Sequence, residues 1–193
     1  MHDIPDTEDI DAASERYWPE GYKEVIRARL GQAFAEEVLK ANAFKTFYEE
    51  QYADKFDSYE RFISRLAEMV VIGAENGADQ IFEEIYASFR NHAPLPDSRV
   101  PANYHWPEPF TPELKNELRQ KTFEEYSNHH AYEHIHEDHY AGKLDFKSFV
   151  DEVAGLVVTG AANGADDALD RIYMSFLSAA PLPPARRRPR RIR

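Results

Sequence analysis

Apolar residues recur along this chain in steps of three and four, and nowhere in strict alternation. Val25, Ile26, Leu30, Phe34 and Val38 mark one face of a helix that runs to about Leu39. Phe44, Phe47, Tyr48 and Tyr52 mark a second helix. Phe62, Leu66, Met69, Val70 and Gly73 predict a third, and Ile81, Phe82, Ile85, Tyr86 and Phe89 a fourth that ends before Pro94. The absence of period-two alternation predicts no strands. The expected class is all-α.

The same series then begins again. Trp18-Pro19-Glu20 returns as Trp106-Pro107-Glu108, and an offset of 88 matches Leu30 with Leu118 and Tyr52 with Tyr140. Dropping Ser58 changes the offset to 87, which matches Phe62 with Phe149, Ile85-Tyr86 with Ile172-Tyr173 and Pro94-Leu95-Pro96 with Pro181-Leu182-Pro183. Roughly two-fifths of the positions agree over about 80 residues, which chance does not produce. The expectation is a tandem duplication of a helical unit, about four helices each, with the two halves related by pseudo-symmetry. Residues 1–15 form an acidic mobile arm, 16–96 the first repeat, 97–103 a linker, 104–183 the second repeat and 184–193 an arginine-rich tail.

Asp57 and Asp145 stand where a helix N-cap is needed. A second structural signal is shared by both copies: Gly73, Asn76, Gly77 and Asp79 in the first, Gly160, Asn163, Gly164 and Asp166 in the second. Asn-Gly suits a helix stop, with the following aspartate capping the next helix, and this break is the expectation. In the alternative, one helix runs through and the glycines form a small-residue stripe at a close crossing. Two interior glycines then cost about 2 kcal/mol relative to alanine. The glycines do not resemble a phosphate loop, because no strand precedes them and no Lys-Ser/Thr follows.

Charge narrows the set of partners. The net charge is −12, yet Arg186, Arg187, Arg188, Arg190, Arg191 and Arg193 gather at the C-terminus, so the remainder carries about −18. Such a body repels nucleic acid and anionic membranes. The tail suits a solubilising, fraying end, and its functional alternatives are nucleic-acid contact, docking on an acidic partner, a secretion or localisation address, or folding back on the acidic body. Cysteine is absent, which excludes disulfides and thiolate metal sites. The N-terminus lacks the apolar core of a secretory signal, and the best apolar run, Ala154 to Ala162, is too short to span a bilayer. No membrane insertion and a cytoplasmic location are expected.

Five histidines fall together at His129, His130, His134, His136 and His139. On a helix His130, His134 and Asp138 share a face at i, i+4, i+8, a spacing able to ligate a divalent metal such as zinc. Glu133-x-x-His136 resembles half of a di-iron carboxylate site, but the first copy has Phe44, Thr46, Tyr48 and Gln51 in that region and supplies no second half. The competing assignment is a solvated helix face, because Tyr132, Ile135 and Tyr140 own the apolar side. A pH-responsive contact is a third.

Nucleophile-elbow, HExxH, Walker and GxGxxG signatures are missing. The expected function is therefore a non-catalytic interaction protein, with no cofactor, that binds a protein partner through its duplicated helical surfaces. An acidic DNA mimic that inhibits a nucleic-acid-binding protein is the alternative. A metal-dependent activity of the second-repeat histidines is a further one.

Overall fold

Ser58 and Asp145 each accept a backbone hydrogen bond that opens a helix of 32 residues. The computed structural model describes residues 21–97 and 110–188, and every regular element among them is helical. Helix α1 comprises Gly21–Val25, a π-helical turn over Ile26–Leu30, and Gly31–Ala41. Helix α2 comprises Lys45–Phe47 and a second π-helical turn, Tyr48–Tyr52. Then follow α3 (Tyr59–Arg90), α4 (Pro112–Ser127), α5 (His130–His139) and α6 (Phe146–Leu177). The expected arm at 1–15, both Trp-Pro-Glu openings and residues 98–103 of the expected linker lie outside the described residues.

Of the two aspartates expected to cap, Asp145 does so, accepting from the Ser148 N–H at 3.0 Å. At α3 the cap is Ser58 and not Asp57. The extended backbone at Ser58 (φ −157°, ψ 163°) aims its hydroxyl at the Arg61 N–H, 3.2 Å away. Thr111 caps α4 in the same manner, followed by Pro112 in the first turn.

The expected break at Asn76-Gly77 and Asn163-Gly164 does not occur. Both pairs lie inside unbroken helices, so among the described residues each half contributes three helices and not four. The physical reason is the alternative foreseen for the small residues. Helices α3 and α6 cross so closely that a β-carbon on Gly73 would lie 2.5 Å from the Gly164 carbonyl oxygen, and one on Gly160 2.7 Å from the Ile81 Cγ2. A β-carbon on Gly77 would overlap the Gly160 carbonyl. Continuous burial from Phe62 to Phe89 outweighs the intrinsic cost of the glycines. Asp79, expected as a cap, instead accepts from the Tyr22 hydroxyl and faces Lys23 of α1.

Buried side chains from all six helices among the described residues form one core. Its ends are closed by an exchange between halves. Phe44 and Phe47 pack on Phe176 at the end of α6, with ring centroids 5.4 and 4.6 Å apart. The Tyr52 hydroxyl donates to the Ala180 carbonyl at 2.7 Å. On the other side Tyr132 and Tyr140 of the second half pack on Phe89 at the end of α3, and the Tyr140 hydroxyl donates to the Ala93 carbonyl at 2.8 Å. Among the described residues no helix is long and apolar enough to cross a membrane.

Candidate functional site

The middle of α3 carries a charge where its sequence context is almost all small. Glu75 follows Gly73-Ala74 and precedes Asn76-Gly77-Ala78, and its side chain is only 3% exposed. A carboxylate so enclosed needs cations and donors. Arg27 of α1 supplies the first, with Nε on Oε1 and Nη2 3.4 Å from Oε2. The second comes from the far end of the chain, where Arg187 Nε lies 3.5 Å from Glu75 Oε2.

The arginine tail is therefore placed, at least to residue 188. Leu182 and Ala185 pack against the core and lead the chain across α3. There the Asn76 side-chain amide donates to the Arg186 carbonyl at 2.9 Å and accepts from the Arg188 N–H at 2.8 Å. One turn on, Gln80 accepts from Arg188 Nη1 at 3.1 Å, and Glu83 lies 4.0 Å from its Nη2. Glu75, Asn76, Gln80 and Glu83 line up because they follow each other at i, i+1, i+5 and i+8 along one helix flank. Of the six arginines singled out in the sequence, Arg186, Arg187 and Arg188 meet α3, while Arg190, Arg191 and Arg193 lie outside the described residues.

The histidine cluster is not assembled as one centre. His130 and His134 point outward, with side chains 92% and 77% exposed, and each lies beside a glutamate one turn on, Glu133 at 3.1 Å and Glu137 at 4.0 Å. Asp138 does not join them: among the described residues no group of three or more His, Cys, Asp or Glu side chains converges as a metal site. His129 caps its own helix through Nδ1. His136 turns inward, sits between Phe146 and Phe149, and bonds the Leu144 carbonyl through Nε2 at 2.6 Å.

His139 meets a residue that the sequence pattern did not single out. Its Nδ1 lies 2.8 Å from Nδ1 of His92, which follows α3 in left-handed backbone (φ 50°). Burial, and after it the facing His92, hold the His139 imidazole below its usual pKa, against the opposing pull of Asp138. Glu75 was also missed, although a signal existed: residues 73–79 and 160–166 agree at every position except this one, where the later block has Ala162.

One open cleft, between α1 and α4, is lined by Glu24, Arg29, Glu117 and Lys121 among others. Arg29 and Glu117 bridge it at 3.1 Å, which pairs charges but aligns no nucleophile with a base. The described surface thus offers charge-assisted hydrogen bonding to a peptide backbone and to guanidinium groups. In comparisons with protein-family models, curated proteins and solved structures, nothing matches this chain.

Proposed function

We propose that this chain is a non-catalytic helical interaction protein that binds a segment of a protein partner on the surfaces of its long helices. The observation that carries this reading is the stretch Arg186–Arg188 seated on α3, with its backbone held by Asn76 and its side chains by Glu75, Gln80 and Glu83. A helix flank that holds one extended segment by backbone bonds has the chemistry to hold another.

The same reading takes the molecule as a duplicated unit with approximate two-fold symmetry. Reciprocal contacts support it, since in a two-fold arrangement residue i meets j wherever j meets i. Tyr52 bonds Ala180 as Tyr140 bonds Ala93, and Gly73 faces Gly164 as Gly77 faces Gly160. Arg29 and Glu117, paired at 3.1 Å, stand 88 residues apart, the repeat offset itself. Two related long-helix flanks then lie on one small body.

The test is affinity capture from the source cells with the full-length chain, followed by chemical crosslinking. The expected result is a protein in near-stoichiometric amount, crosslinked to α3 or α6. A chain that elutes alone, or with nucleic acid only, overturns the reading.

A further inference from the structure

We propose that the flank of α3 from Glu75 to Glu83 is a docking site for an extended peptide bearing two consecutive arginines, occupied in this structure by Arg187-Arg188 of the chain's own tail. The inference rests on the partner-binding reading and gives the partner's segment a chemistry.

The geometry has three parts. Asn76 bonds the carbonyl of one residue (Arg186, 2.9 Å) and the N–H of the residue two further on (Arg188, 2.8 Å). Extended backbone presents those two groups on one edge, so this pair of bonds selects conformation and register regardless of sequence. The residue between them sends its guanidinium toward Glu75, a carboxylate already desolvated by the fold. The next residue spreads its guanidinium between two acceptors, Gln80 at 3.1 Å and Glu83 at 4.0 Å. A planar fork reaches both acceptors together, and a lysine ammonium does not.

Occupancy by the tail is built to be exchanged. The Arg187 and Arg188 side chains remain 55% and 38% exposed, so each ion pair is individually weak. What keeps the tail seated is the pair of Asn76 bonds together with its tether, anchored by Leu182 and Ala185, which supplies a high local concentration. A partner segment competes by presenting the same Arg-Arg backbone with further contacts of its own.

The experiment uses the full chain with Arg187→Ser and Arg188→Pro, which vacates the site by removing both guanidiniums and the Arg188 N–H that Asn76 accepts. Circular dichroism and thermal melting verify its fold. The probe is a fluorescent peptide copying residues 183–193, read by anisotropy at about 150 mM salt, where diffuse attraction is screened. The peptide is expected to bind the vacated chain at least about tenfold more tightly than the unaltered one, whose tail competes. Methylating the peptide nitrogen of the second arginine, which leaves all charge in place, is expected to weaken binding about tenfold by removing the bond to Asn76. Lysine at both positions is expected to weaken it several-fold. Equal binding of the methylated or lysine peptides marks general attraction to an acidic body and overturns the proposal, as does failure of the parent peptide to bind a folded, vacated chain. If that chain still captures a stoichiometric partner, only the site assignment falls and the partner-binding reading stands.

Discussion

Gly73 and Gly164 approach so closely that a β-carbon on Gly73 would sit 2.5 Å from the Gly164 carbonyl oxygen. The two helices that carry the core thus touch backbone to backbone, and nothing larger than hydrogen fits between them. Replacing Gly164 with alanine is expected to force the crossing apart and to cost roughly 3 kcal/mol or more. Gly142 provides the control, because a β-carbon there meets nothing within 4 Å. Its alanine variant is expected to lie within about 1 kcal/mol of the unaltered chain. Urea unfolding of the two variants checks the contrast, and equal stabilities would remove the close crossing from the account.

The buried carboxylate of Glu75 ranks its two cations. Arg27→Met is expected to cost about 3 kcal/mol, because it strips the main partner from a charge that is 3% exposed. Arg187→Ala is expected to cost less than about 1 kcal/mol, since that guanidinium reaches one carboxylate oxygen at 3.5 Å whereas Arg27 contacts both. The reverse order in denaturant titrations would show that the tail, and not α1, compensates Glu75.

Acid is expected to loosen the contact between α3 and α5. In the folded chain burial and His92 lower the His139 pKa below the ordinary 6.5. The unfolded chain therefore takes up the proton first as pH falls. The contribution of His139 to stability is present in full well above pH 6.5 and is lost as pH falls through 6.5 toward the folded-state pKa. His139→Gln, which installs the residue found at the matching Gln51, is expected to flatten that part of the melting temperature against pH. An unchanged slope would place the proton uptake elsewhere.

Alkali acts on the opposite side of the scale. Burial pushes the Tyr140 hydroxyl up to about 12, from the usual 10.0. A raised folded pKa means that the neutral phenol, which bonds the Ala93 carbonyl, favours folding fully below about pH 10 and loses that hold as pH climbs toward 12. Tyr140→Phe is expected to cost about 1 kcal/mol at neutral pH and to lessen the alkaline decline. Absorbance titration near 295 nm, alongside circular dichroism, follows both.

Much of the architecture was legible because burial repeats at helical intervals. The faces through Val25–Val38 and Phe62–Phe89 are the faces that pack, and Tyr132, Ile135 and Tyr140 do own the apolar side of α5. The Asn-Gly step misled because local propensity favours a stop, while the decisive fact is a neighbour about 87 positions away that only glycine admits. The arginines were conspicuous, but their contact on α3 was not, since a single glutamate amid alanines looks like one more surface charge. His92 was unreadable for a similar reason: pairing with His139 depends on α5 lying across the end of the other half's long helix.

The pairing of α3 with α6 also sets a timetable. Helix α3 is complete when Arg90 has been added, yet its partner is finished only at Leu177. At typical translation speeds of about 5–20 residues per second, the interval is roughly 4–17 s. Throughout it the glycine stripe and the flanking apolar side chains of the nascent first half have no mate.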